Sequence, residues 1–136
     1  MEPILIGISL AVPFLAVSWW TGLGKERAFY ATLLMAIAFF YPVFAIGTDS
    51  ATLAVNTSIA ALFIGAAFYG YVRRPLVLPV ALAVHAGFDV GVAQLGTPAP
   101  SWWAGLCIGA DLTLAVGAFL TLKSDASGRI GWRTRP

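Results

Sequence analysis

Residues Leu76–Leu122 read LVLPVALAVHAGFDVGVAQL, then GTPAP, then SWWAGLCIGADLTLAVGAFLTL. Two apolar runs, each near the ~20 residues a helix needs to cross a bilayer core, flank a short turn containing Pro98 and Pro100. That reads as a helical hairpin in a membrane. Three ionisable residues interrupt it: His85 and Asp89 in the first arm, Asp111 in the second.

The rest of the chain repeats the apolar pattern. Spans are expected at about 3–22, 28–47, 52–72, 76–95 and 102–122, with a polar tail over 123–136. Of the 136 residues, 60% are hydrophobic and 10% charged, and the mean hydropathy is +0.87. A soluble domain carries about 25% charge and needs a large polar surface at this size. The expected fold is therefore an all-α integral membrane protein, a bundle of five transmembrane helices. Long apolar runs replace the alternation of a β-barrel, and a single Cys excludes a disulfide scaffold. The first span reads as a true span and not a cleaved signal peptide, since Glu2 is its only early charge and no A-x-A site is evident.

Five spans place Lys25, Arg27, Arg73, Arg74, Lys123, Arg129, Arg133 and Arg135 on one side, with Asp49 opposite. The positive-inside bias makes the basic side cytoplasmic and the N-terminus external. These cations read as topology determinants and lipid-head contacts, not as a nucleic-acid surface. Trp19, Trp20, Trp102 and Trp103 fall near span ends, as do Tyr30, Tyr41, Tyr69 and Tyr71, where interfacial anchoring explains them. Glu26 and Arg27 suit a surface ion pair. Pro13, Pro42 and Pro79 are expected inside spans. Gly87-x-x-x-Gly91 and Gly105-x-x-x-Gly109 are small-residue spacings that would let the hairpin arms touch.

His85 and Asp89 are i,i+4 neighbours on one helix face. Asp89 and Asp111 are nearly equidistant from the turn, so a rise of 1.5 Å per residue puts them at matching depth, about 10 Å from the outer surface. A charge near a helix centre costs about 2.5–3.5 kcal/mol on insertion scales, which such groups meet by pairing, sharing protons or lining a wet cavity. Convergence of His85, Asp89 and Asp111 is the clearest inference from the sequence. The leading functional reading is binding of, or acid–base chemistry on, a small lipophilic molecule. In it His85 is the acid or base, Asp89 orients it, and Asp111 bonds the substrate or shares the proton.

Asn56, Trp103 and Cys107 are candidate substrate contacts, each with a plainer packing role as the alternative. Two other readings use the same residues: an accessory subunit whose cluster holds helices together or docks a larger complex, and proton or cation passage through a homo-oligomer. One His with two carboxylates, even with Cys107, lacks a dedicated metal-ligand spacing, so no metal is assigned and any cofactor stays open. The single His excludes bis-His haem within one chain.

The order Arg27-x-x-Tyr30, Tyr41, His85-x-x-x-Asp89, Pro100-x-Trp102-Trp103, Cys107 and Asp111 resembles a family of small bacterial multi-pass membrane proteins. The likeness covers spans two to five. It implies a bacterial inner membrane and a shared role for the His and two Asp, but no activity. The family's acidic residue on the third span has only Asn56 as its counterpart here.

Overall fold

The computed structural model describes residues 1–95 and 98–126. All regular structure in them is helical: α1 (Glu2–Thr21), a 3₁₀ turn (Leu23–Lys25), α2 (Arg27–Ala38), α3 (Phe40–Phe44), α4 (Ser50–Val72), α5 (Val77–Leu95) and α6 (Trp103–Ala126). Most of the expected tail, residues 127–136 with Arg129, Arg133 and Arg135, lies outside the described residues. Four stretches are long and apolar enough to cross a membrane: Glu2–Thr21, Arg27–Phe44, Ser50–Val72 and Trp103–Lys123. The apolar α5 packs between α4 and α6.

Side-chain contacts fix the helix directions. Arg27 donates to the Tyr71 carbonyl (3.1 Å), so α2 and α4 run antiparallel. Gly70 meets Leu78 while Phe63 meets His85, so α4 and α5 do too. By contrast α1 and α6 run parallel: a Cβ on Gly105 would meet Pro3, one on Gly109 the Ile4 carbonyl, and one on Gly117 the Leu15 side chain. Gly7 answers from α1, where a Cβ would collide with the Leu106 carbonyl. Helix backbones approach this closely only over residues without side chains.

That arrangement corrects one expectation. Gly105 and Gly109 pack against the first helix and not across the hairpin, and a Cβ on Gly87 or Gly91 would meet nothing within 4 Å. The spacing identified the seam on α6 but not its partner, because a GxxxG face carries no address.

The second span is broken, not continuous. The chain leaves α2 at Phe39 and resumes as α3, with Phe39 N–H bonding back three residues to Ala36 (3.2 Å). Pro42 accounts for it: the ring has no N–H and clashes with the carbonyl four residues back, that of Ala38. Pro79 instead falls in the first turn of α5, where a missing N–H costs nothing. Across the break one stripe persists, with Tyr30, Leu34, Ala38, Tyr41 and Ala45 all buried at helical spacing.

Two tyrosines on that stripe are core residues and not interfacial anchors. Tyr30 is completely buried; its hydroxyl accepts from Trp19 Nε1 (3.1 Å), donates to the Gly24 carbonyl (3.0 Å) and lies 3.3 Å from Thr121 Oγ1. This ties α1, α2 and α6 at the end that carries Lys25, Arg27, Arg73, Arg74 and Lys123. Arg27 makes its bond to Tyr71, and it forms no ion pair with Glu26.

Candidate functional site

Three segments meet at the other end of the stripe. From α5, His85 and Asp89 face inward one turn apart; from α6 comes Asp111; from α3, just past the break, comes Tyr41. Their exposures are 1%, 0%, 1% and 2%, so none reaches solvent or lipid appreciably. His85 Nδ1 lies 2.7 Å from Asp111 Oδ2 and 3.5 Å from Asp89 Oδ2. Tyr41 donates its hydroxyl to Asp89 Oδ1 at 2.6 Å. The bonds at 2.6 and 2.7 Å are short enough to be charge-assisted.

With Asp111 ionised, the bond runs from Nδ1–H to the carboxylate and leaves Nε2 as the free ring nitrogen. The two carboxylates then have different parts. Asp111 orients the ring, the part the sequence reading gave to Asp89. Asp89 is held by Tyr41, and its second oxygen, Oδ2, is fully buried with no hydrogen-bond partner among the described residues.

Aromatic rings wall the cluster. Phe63 of α4 meets the imidazole edge-on, centroids 4.7 Å apart, and Phe88 lies 6.0 Å from it and 5.5 Å from the Tyr41 ring. Neither Phe63 nor Tyr41 is a site residue by sequence reasoning alone. A signal existed for both. Tyr41 continues the Tyr30/Leu34/Ala38 stripe, and Phe63 falls in the sequence of inward positions Asn56, Ala60, Phe63, Ala67 and Gly70 on α4.

The three candidate substrate contacts fare differently. Cys107 is buried, a free thiol one turn from Asp111 on α6. Trp103, one turn further, turns inward: its ring packs on Phe40 and Phe44, which flank Tyr41, at 4.8 and 5.1 Å. Its Nε1 is buried with no hydrogen-bond partner among the described residues. Asn56 stands apart. It donates to the Thr52 carbonyl of its own helix (2.8 Å), and seven residues separate it from Phe63, about 10 Å along the axis.

Chemically the array can hold a proton between an imidazole and two carboxylates, or donate and accept hydrogen bonds to a ligand that reaches Asp89 Oδ2. One ring nitrogen of His85 and one oxygen from each Asp all lie within 4.8 Å of one another, so a single cation could also be shared among them. The direct bond between His85 and Asp111 satisfies that pair without one.

A scan against protein-family models finds no match, and searches of curated proteins and of solved structures find none.

Proposed function

We propose that the protein crosses a bacterial inner membrane five times, N-terminus outside and C-terminus in the cytoplasm, and binds a small lipophilic molecule at His85, Asp89, Asp111 and Tyr41 for acid–base chemistry. Alternating helix directions support the count, since α1 and α6 run parallel with three crossings between them. The gathering of the described cations at one end supports the orientation.

Within the site, His85 Nε2 takes a proton from an O–H, N–H or acidic C–H of the bound molecule. Asp111, bonded at Nδ1, stabilises the imidazolium that forms. Asp89, steadied by Tyr41, accepts a hydrogen bond at Oδ2 and so sets the orientation of the ligand. The observation carrying this reading is that Asp89 Oδ2, 3.5 Å from His85 Nδ1, has no hydrogen-bond partner among the described residues. A network built only to join helices completes its bonds, because a buried polar group without a partner costs about 1–3 kcal/mol. A donor on a bound molecule would complete the hydrogen bonding of this oxygen.

Native mass spectrometry of the protein extracted with its lipids tests the proposal. The expected result is a retained small molecule that Asp89→Asn and His85→Gln both lose while helicity by circular dichroism stays unchanged. If both variants kept the adduct, the site would lie elsewhere. Near-complete burial of all four side chains favours one second reading, a polar tie that holds helices together or docks a larger complex. In that case the variants unfold, or lose the complex, in step with any lost binding.

A further inference from the structure

A second feature lies on the outer face of the bundle, on the far side of Phe63 from His85. Between α4 and α5 runs an open groove of about 700 Å³, within the range of about 300–1,000 Å³ typical of ligand sites. It arises because the helices touch at Gly70–Leu78 while small side chains, Ala66 and Ala81, face each other beyond that contact. Leu62, Val80 and Val84 form the rims, and each is more than half exposed. The lining is apolar throughout except at one end, where Arg74 enters it.

The Arg74 side chain makes no hydrogen bond or ion pair among the described residues; its backbone bonds to Tyr69 and Val77. It follows directly on α4 at the basic end, beside Arg73 and within reach of the surface that carries Lys25 and Arg27. From Arg74 to Leu62 is 12 residues, about 18 Å at helical rise, close to half of a hydrocarbon core about 30 Å thick. The groove thus reaches from a headgroup level to the bilayer midplane, the length one acyl chain occupies.

We propose that this groove seats an acyl chain of an anionic phospholipid, with Arg74 bonded to its phosphate. Charge chooses among occupants. A zwitterionic headgroup would bring its own cation beside Arg73 and Arg74, whereas an anionic one brings none. Basic pockets between helices at the cytoplasmic side are the usual setting for such recognition. A helix from a second copy would supply apolar surface but no anion for Arg74. The inference rests on groove residues alone and stands apart from the acid–base reading.

The test uses the purified full chain, delipidated and then exposed to phosphatidylglycerol or phosphatidylcholine with the same acyl chains, bound lipid being counted by native mass spectrometry. One Arg near the surface contributes enough to give about fivefold retention of the anionic lipid over the zwitterionic one. Arg74→Gln should bring that ratio to about parity. Arg73→Gln, outside the groove, should keep most of it, and Asp89→Asn all of it. Ala66→Leu, which fills the floor, and Val80→Trp, which obstructs the rim, should each weaken both lipids together without altering helicity. Glycerol 3-phosphate, a headgroup without chains, should not compete. Equal retention of the two lipids by the wild type would overturn the proposal. So would equal losses in Arg73→Gln and Arg74→Gln, displacement by glycerol 3-phosphate, or unchanged binding in both groove-blocking variants.

Discussion

Replacing Tyr41 by Phe removes one oxygen and leaves the ring in place. That oxygen donates, at 2.6 Å, the only hydrogen bond the Asp89 carboxylate receives among the described residues; the side chain is 0% exposed and lies 3.5 Å from His85 Nδ1. Hydrogen bonds to ionised groups contribute about 1.5–3 kcal/mol. Bonds between membrane helices average about 0.6 and reach about 1.7, because the unfolded chain in the bilayer also finds partners. Here the acceptor is a carboxylate whose other oxygen makes no hydrogen bond among the described residues, so the upper end applies and Tyr41→Phe should cost about 1.5–2 kcal/mol. Asp89→Asn keeps an acceptor for Tyr41 and adds a donor, so its own cost should be smaller. The pair should couple by about 1 kcal/mol in a double-mutant cycle. Reversible unfolding in mixed micelles, followed by far-ultraviolet circular dichroism, measures all four species. A Tyr41→Phe cost below about 0.5 kcal/mol, or strict additivity, would show that the bond does not hold the carboxylate.

The helix seam gives opposite signs at two glycines. Gly109→Ala sets a methyl on the Ile4 carbonyl and should cost about 1–3 kcal/mol, while Gly87→Ala meets nothing and should gain up to about 1 kcal/mol from helix propensity; the same micelle assay separates them. At the start of α4, Asp49 caps the helix by accepting from Thr52 Oγ1 (2.6 Å) and from the amides of Thr52 and Ala51, bonds that hold its pKa below the ordinary 3.8, the Thr52 hydroxyl most of all. A lowered folded pKa contributes stability that is complete above about pH 4 and fades as pH falls through the folded value. Asp49→Asn should therefore flatten the acid side of the melting profile below about pH 4, measured as the difference from wild type. Cys107 is buried without an activating partner in bonding range, so N-ethylmaleimide should label it only on unfolding, as read by mass.

Much of this was legible from composition and spacing, and the losses have physical causes. Apolar length alone separates the helices, and the near-equal distances of Asp89 and Asp111 from the turn place them at one level, because helical rise is constant. The partner of the Gly105/Gly109 face was not legible: a small-residue face accepts any helix, and α1, with Gly7 and Ala11 on its buried side, is the one that fits. Tyr41 was misjudged by location. Proximity to a span end suggests anchoring, but its position on the stripe through Tyr30, Leu34 and Ala38 turns it inward. Asn56 was misjudged the other way, since similar depth does not bring a residue within reach when its helix places Phe63, not Asn56, beside the imidazole.

The two buried tyrosines of that stripe sit in different polar surroundings. Tyr30 engages three partners, Trp19, Gly24 and Thr121, through one hydroxyl, and no fully buried polar side-chain atom near it is unmatched. Eleven residues on, the Tyr41 end does the reverse. The two fully buried side-chain atoms without hydrogen-bond partners among the described residues are Asp89 Oδ2, on the group Tyr41 holds, and Trp103 Nε1, on the ring packed against the neighbours of Tyr41. One is an acceptor wanting a donor, the other a donor wanting an acceptor. General looseness would leave such atoms at both ends of the bundle, and a purely structural tie would have closed them, as the Tyr30 end does. Among the described residues this deficit of both signs lies at the end that carries the imidazole and both carboxylates, and the ligand proposed above would supply a donor for one and an acceptor for the other.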